Sequence, residues 1–598
     1  MLKFPYGISD FRSLVTEGYY YVDRTDQIPL IEEAGKQLLF LRPRRFGKSL
    51  LLSMLENYYD LAKADQFQQL FGHLKIGANP TPKHNQYFVM KWDFSRVDPR
   101  GTLSQLKEAL HQHLNDCISE FAAHYQSVLT MPIALHPSDA VSSFHHLCTS
   151  VQQTPYQLYL LIDEYDNFAN EVLMSQGLQS QQSYQDLVTG EGILKTVFKA
   201  VKAASAGRGL DKVFLTGVSP VVLSDMTSGY NVAKNIYLEP EFHDLCGFTE
   251  TEVLTVLQQI VSTGQLPPEK VTEALDLMRT WYNGYGFTRQ PPSLVYNPTM
   301  SLYFLEQFQK TCDYPSQPLD SNLAMDANKL AYISRLTKGG QFLLDALTNV
   351  TPVSVTQLED RFSVERLWHP KADKKFLGSL LYYFGVLTLA GTDELGKLVL
   401  KIPNLVVRHL YVERLQELLL PTFDDSQDVE QVAERFYATG NLQPVCEFIE
   451  TRFRVFDNRD YKWSNELMVK TAFLLLLFND RWYLMDSETE LHRRYADLSL
   501  ILRPDARQYP LFDHILEFKY LAFKEDEKNP LTGESVKSMT IEELRALPLV
   551  QQKLAHAREQ LQIYGQKLQE RYGQLRLHSH AVVGIGFERF VWESWEGV

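Results

Sequence analysis

The first third of the chain is built from short apolar blocks, each followed by a polar turn and then by apolar residues at helical spacing. Residues 37–41 (QLLFL) read as a buried strand, residues 42–49 (RPRRFGKS) as a loop, and Leu50, Leu51, Met54 and Leu55 as one side of the helix that follows. A second strand over 87–94 precedes a helical stretch over 101–125. A third over 157–162 ends in Asp163-Glu164, and a fourth over 212–217 ends in Thr216-Gly217-Val218-Ser219. Strands alternating with helices predict α/β structure, a parallel sheet covered on both faces. Between 250 and 460 the strand pattern gives way to helices with Pro-rich breaks near 266–268, 291–298 and 314–318. From 464 the texture changes again. A helix over 464–479, strands near 481–486, 496–502 and 513–521, a long helix over 547–572 and a strand over 581–588 give an α-β-β-β-α-β order, with 524–540 as a polar surface insertion. The expected division is 1–245, a helical middle region over 246–460, and 461–598.

Composition narrows the class. With 598 residues, 44% hydrophobic and 22% charged, the chain is expected to fold as several modules with little disorder. A formal net charge of −14 excludes a polycation that grips nucleic acid by bulk attraction, so any such contact must come from local basic patches. Five scattered cysteines without a CxxC pair argue against a zinc site or a disulfide framework and fit a reducing cytosol. The N-terminus lacks a signal-peptide pattern, and the longest apolar run, 472–478, is far short of the roughly 20 residues a membrane helix needs. A cytoplasmic protein without membrane spans is the expectation.

Gly47-Lys48-Ser49 at the start of a helix carries the parts of a phosphate-binding loop: backbone N–H groups aimed at phosphates, an ammonium to bridge them and a hydroxyl for Mg²⁺. The first glycine of the usual G-x-x-x-x-G-K-[ST] pattern is replaced by Arg42. Companion carboxylates follow the apolar strand YLLID: Asp163 is suited to hold Mg²⁺ through water and Glu164 to polarise an attacking water, on a strand expected to neighbour the loop strand. Thr216 or Ser219 either senses a γ-phosphate or caps its strand.

Together PYGISDF (5–11), YYYVDRT (19–25), LRPRRFGKS (41–49), LLIDEYD (160–166), LTGVSP (215–220), FHDLCGFTETEV (242–253), WYNGYGF (281–287) and VYNP (295–298) resemble the AAA-ATPase-like proteins fused to a PD-(D/E)XK nuclease-superfamily domain, over nearly the whole chain. The resemblance implies an N-terminal P-loop ATPase module, ATP as ligand, and a C-terminal restriction-endonuclease-like domain. It makes Arg42 a family trait. Arg42, Arg44 and Arg45 then supply charge toward the phosphates, meet acidic residues of the helical region, or form a solvated basic turn. Asp23 and Arg24 are placed near the base by their position in the family pattern.

The C-terminal segment holds a second constellation. Asp497 begins the strand ADLSLIL, and Glu517 and Lys519 alternate on HILEFKYL, so both project from one face toward Asp497. Carboxylates that place Mg²⁺ or Mn²⁺ and a lysine that orients water are what phosphodiester cleavage needs. Glu466 on the preceding helix, and Gln560 and Tyr564 one turn apart on the long helix, resemble the remaining elements of the PD-(D/E)XK core, as metal ligand and as supports of the lysine or a phosphate. Tyr495-Ala496 stand where that core often has a small residue before the Asp. Arg452, Arg454, Arg459, Lys462, His492, Arg493 and Arg494 line a nucleic-acid groove or form a solvated face. The resulting expectation is an ATPase coupled to a metal-dependent nuclease acting on DNA or RNA, able to form homo-oligomers. The alternative is a nucleotide-switched binding or scaffold protein, in a defence or effector role, that keeps an inactive nuclease fold.

Overall fold

The apolar blocks of the first third become one sheet. Strands β1 (Gln37–Leu41), β2 (Tyr87–Asp93), β3 (Gln157–Asp163), β4 (Leu210–Gly217) and β5 (Lys234–Asn235) lie in the order β2-β3-β4-β1-β5, with every pairing parallel. Burial runs through nearly every residue of β3 and β4, as expected where helices cover a parallel sheet. The helices Lys48–Tyr59, Leu103–His124 and Ala140–Gln152 pack on it. Leu103–His124 starts where sequence chemistry places it, because Thr102 and Gln105 form a reciprocal capping box. The strand β3 is not the neighbour of β1, as expected from sequence: β4 is inserted between them. This brings the polar end of β4 between the loop and the acidic strand.

This computed structural model describes residues 1–98, 102–167, 192–220, 230–318, 330–331, 333–334, 339–348, 353–360, 362, 373–419, 423–452, 466–486, 489–490, 495–523 and 531–597. The chain divides into two compact units, the first comprising 1–312, 332–339 and 352–403, the second 313–331, 340–351 and 404–598. The segment that reads as purely helical is shared between them, and it contains a small antiparallel sheet in the first unit: β6 (Val353–Val355), β7 (Thr388–Thr392) and β8 (Leu398–Lys401), ordered β6-β8-β7. Strands of three to five residues are too short for alternation to show. The β7–β8 turn is fixed instead by Asp393, whose carboxylate accepts from the amides of Leu395 and Lys397.

The second unit centres on a mixed five-stranded sheet. Its strands are β9 (Tyr483–Asp486), β12 (Leu498–Leu502), β13 (Asp513–Leu521), β14 (Leu577–Ile585) and β15 (Arg589–Glu596), in the order β15-β14-β13-β12-β9. A separate two-stranded ribbon is formed by β10 (Thr489–Glu490) and β11 (Tyr495–Ala496). Only β13–β14 is parallel, and the crossover it requires is the long helix Pro548–Tyr572. That helix buries Leu554, Ala557, Leu561 and Leu568 against Ile515, Ala581, Val583 and Ile585. On the helix Glu466–Leu476, Phe473 meets Phe518 and Phe590 at ring separations of 4.9 and 5.6 Å. The terminal strand β15 was not anticipated. Of the expected polar surface insertion, 524–530 lie outside the described residues, and 533–538 form a helix whose Val536 is buried in the core, so this part is not a surface insertion. Among the described residues no helix is long and apolar enough to cross a membrane.

His409 of the second unit lies 2.8 Å from Asp480 and 3.1 Å from Glu413. Burial opposes its charge, but the two carboxylates outweigh it and push the imidazole up from 6.5 to about 10. A raised folded value gives stability that is full below the unfolded value and lost as pH rises through the folded one. Urea midpoints of the wild type should therefore fall between about pH 6 and about pH 10, and His409→Gln should flatten that fall.

Candidate functional site

The loop after β1 is held from both sides. Gly47 has φ 90° and Arg45 φ 66°, so the chain passes through the left-handed region at two points before the helix begins at Lys48. The Lys48 ammonium is buried and donates to the carbonyls of Arg42 and Pro43, each at 3.0 Å. Burial pushes its pKa down, against the pull of Glu164, Asp163 and Asp166. Arg44 donates to Asn167 Oδ1 at 2.8 Å. Thr299 Oγ1 donates to the Arg45 carbonyl at 3.1 Å.

The carboxylates form a layered set. Asp163 Oδ1 accepts from Thr216 Oγ1 at 2.7 Å and from the Glu164 amide at 3.0 Å. Glu164 has φ 45°, an uncommon backbone state for a residue with a side chain. Its pKa is raised by burial first; Lys48 counters this, while Asp163 and Asp166 add to it. Asp166 was not singled out from sequence. Its carboxylate accepts from the amides of Val218 and Ser219 and from Ser219 Oγ, at 3.1, 2.7 and 2.8 Å, and so fixes the loop after β4.

A cavity of about 270 Å³ opens beside this set. Arg45, Gly47, Lys48, Ser49 and Glu164 line its polar end, and Tyr20, Tyr21, Met54, Leu245, Phe248 and Leu302 its apolar end. Arg42, Arg44, Asp163 and Thr216 do not line it. For Arg42 this corrects the expected phosphate contact. Its guanidinium is 1% exposed and donates to the carbonyls of Leu41, Tyr237, Phe242 and His243. Thr216 is turned to Asp163 instead of a ligand. Arg24 lines the cavity with its guanidinium held by Glu252 and by the carbonyls of Asp244 and Gly247, whereas Asp23 caps Thr25 and the amide of Lys75. The apolar end was legible only as the family-pattern segments around 19–25, 242–253 and 295–298.

In the second unit Asp497, Glu517, Lys519 and Glu466 come together from three separate elements. Asp497 Oδ2 accepts from the Phe518 amide at 2.9 Å, which ties it to β13. Lys519 Nζ donates to Glu517 Oε1 at 2.8 Å and to the Phe518 carbonyl at 3.0 Å, and lies 3.9 Å from Glu466 Oε1. Burial, then the Asp497 charge, pushes Glu517 up to about 8. Glu466 is raised by burial, with Lys519 opposing and Asp497 adding. Tyr564 is buried on the long helix, and burial raises its pKa first, with the Glu517 and Asp497 charges adding. Lys470 was not anticipated. It stands one helical turn beyond Glu466, is 4% exposed, and lies 3.7 Å from Asp497 Oδ1. A lone lysine in the apolar run MVKTAFLLLL was the available signal.

Among the described residues no three His, Cys, Asp or Glu side chains form a metal-holding group. The expected ligand set of Glu466, Asp497 and Glu517 is instead interrupted by the Lys519 ammonium, which pairs with the buried Glu517 and approaches the exposed Glu466. Asp497 and Glu517 still fit a divalent cation, because Glu517 Oε2 is a buried acceptor with no hydrogen-bond partner. The basic residues Arg454, Arg459, Lys462, His492, Arg493 and Arg494, and the side chains of Arg452, Tyr495 and Ala496, lie outside the described residues.

Residues 5–227 match the family model described as a predicted AAA-ATPase. The cavity's polar end is thus part of an AAA-ATPase-like region. An uncharacterized protein encoded in the vnfD 5′ region of Azotobacter chroococcum is 28% identical over 303 residues, half of each chain, so the match spans about half that relative's length. Among solved structures, the Walker-type ATPase PABY2304 of Pyrococcus abyssi is 16% identical with a TM-score of 0.40, covering 65% of this chain and 96% of that one. The Aeropyrum pernix ORC1 protein, solved in complex with DNA, is 12% identical with a TM-score of 0.26, covering 68% and 96%.

Asp166→Ala leaves three buried donors unpaired and should destabilise the chain by about 3 kcal/mol or more. Urea denaturation against the wild type measures it.

Proposed function

We propose that the AAA-ATPase-like region binds and hydrolyses ATP, and that its nucleotide state controls a C-terminal nuclease acting on DNA or RNA. For the ATP reaction, the phosphates lie at Gly47, Lys48 and Ser49, the base enters the apolar end of the cavity, and Glu164 polarises the attacking water. Asp163, held by Thr216, is a second-layer group behind Glu164. For cleavage, Lys519 orients a water whose oxygen bonds to phosphorus as it gives up a proton to solvent, the phosphorus–oxygen bond opposite breaks, and the departing alkoxide takes up a proton from solvent. Gln560 and Tyr564 steady the lysine or a phosphate. Mg²⁺ or Mn²⁺ would be held by Asp497 and Glu517 in the nuclease and, beside ATP, by Ser49 with Asp163 acting through water, and would supply charge neutralisation at the reacting phosphates.

The observation that carries the nuclease reading is the convergence of Glu466, Asp497, Glu517 and Lys519, with Glu517 presenting an unpartnered buried oxygen. One observation favours the rival, a nucleotide-switched binding or scaffold protein: Lys519 and Lys470 already neutralise the carboxylates. A cleavage assay on supercoiled plasmid, single-stranded DNA and RNA with Mg²⁺ or Mn²⁺, with and without ATP, separates them. Lys519→Ala is expected to lower cleavage at least about 100-fold, and Lys48→Ala to remove its ATP dependence. Intact substrates with undiminished ATP binding would favour the switch.

A further inference from the structure

Replacing glycine by arginine at the entry of a phosphate-loop pattern puts a long cation directly after β1, and the first unit buries that cation, 1% exposed. Arg42 Nη1 donates to the carbonyls of Leu41 and Tyr237 at 2.9 and 2.8 Å, and Nη2 to those of Phe242 and His243 at 2.7 and 3.3 Å. Its planar face stacks on Phe287 at 4.0 Å and Phe40 at 4.4 Å. Carbonyl dipoles and aromatic faces, rather than a paired carboxylate, carry the charge, which suits the delocalised guanidinium and not a compact ammonium.

The two residues at this point each have an inner and an outer partner. Inside, the carbonyls of Arg42 and Pro43 hold the Lys48 ammonium. Outside, Arg42 grips the 237–243 segment, where Tyr237 Oη meets Tyr383 Oη at 3.2 Å. Pro43 fills the space left by Gly385, where an added Cβ would come 2.6 Å from the proline ring. The turn around Gly385 continues into β7, where Thr388 Oγ1 accepts from the Gly286 amide at 2.7 Å, beside the Phe46–Tyr285–Phe287 ring cluster. A lysine drawn to a phosphate releases the inner carbonyls of the same two residues whose outer faces hold 237–243 and 383–388.

We propose that Arg42 is a positioning residue that couples the nucleotide loop to the turn 383–388 at the base of the small sheet β6-β8-β7. The inference rests on the ATP-binding reading above and adds to it a route by which occupancy leaves the site.

Hydrogen exchange of the full-length chain, followed in peptides over 376–390 with and without ATP, tests it, together with the equilibrium affinity for ATP. In the wild type, ATP should change exchange at 383–388 by about fivefold or more. Arg42→Lys should still bind ATP but lose that response. Arg42→Gly restores the usual loop sequence, yet it should bind ATP about tenfold more weakly, with affinity recovered by millimolar ethylguanidinium. The proposal is overturned if Arg42→Gly binds as tightly as the wild type, or if the exchange response is absent in an ATP-binding wild type or persists in Arg42→Lys. Should Arg42→Gly not fold, the Arg42→Lys response alone decides. A wild type that does not bind ATP overturns the underlying reading, and this coupling with it.

Discussion

Both units depend on the same constraint: a positive charge taken out of water must be solvated by protein oxygen. Lys48, Arg42, Lys470 and Lys519 are 5, 1, 4 and 9% exposed. An unpaired buried charge costs so much that the surrounding backbone has to be arranged for it. In the first unit that arrangement is the loop itself, whose carbonyls hold Lys48 on one side while the carbonyls of the following segments hold Arg42 on the other. In the second it is a cluster of carboxylates brought from a helix, the strand β13 and the bend at Asp497 between β11 and β12.

The same requirement explains how each site is poised for chemistry. Cations solvated only by neutral carbonyls give them up readily to a polyanion, since phosphate oxygens are stronger acceptors than amide oxygens. Lys48 is in that position. Lys519 and Lys470 are not, because their partners are already charged. Under the proposed ATP-binding reading Lys48 is thus free to exchange its carbonyl partners for phosphate oxygens, while the second unit holds its lysines and carboxylates in mutual balance. The insertion of β4 between β1 and β3 is what lets Thr216 hold Asp163 and leaves Glu164 at the cavity wall.

Legibility followed distance in sequence. Gly47-Lys48-Ser49 and Asp163-Glu164 could be read because each group sits on consecutive residues at the end of an apolar strand. Glu517 and Lys519 could be read because alternation on one strand fixes their common face. Asp166 and the burial of Arg42 could not, since each is decided by partners supplied from remote segments; Lys470 shows only as a lone lysine in an apolar run, with its partner Asp497 remote in sequence. None of the three expected roles of Arg42, a phosphate contact, a partner of acidic residues or a solvated turn, includes a buried guanidinium held by backbone; the receiving carbonyls of Tyr237, Phe242 and His243 have no signature of their own. The sheet β6-β8-β7 escaped notice because its strands are too short to show a period, and their pairing is a long-range event.

In the proposed reaction the first unit turns over ATP with Glu164 as the group acting on water. The direct measurement is steady-state ATP hydrolysis by the wild type and Glu164→Gln, with ATP affinity determined for both. The wild type should turn over ATP, and the variant should bind ATP as well but hydrolyse it at least about 100-fold more slowly. Turnover unchanged by Glu164→Gln, or a wild type that does not bind ATP, would contradict it.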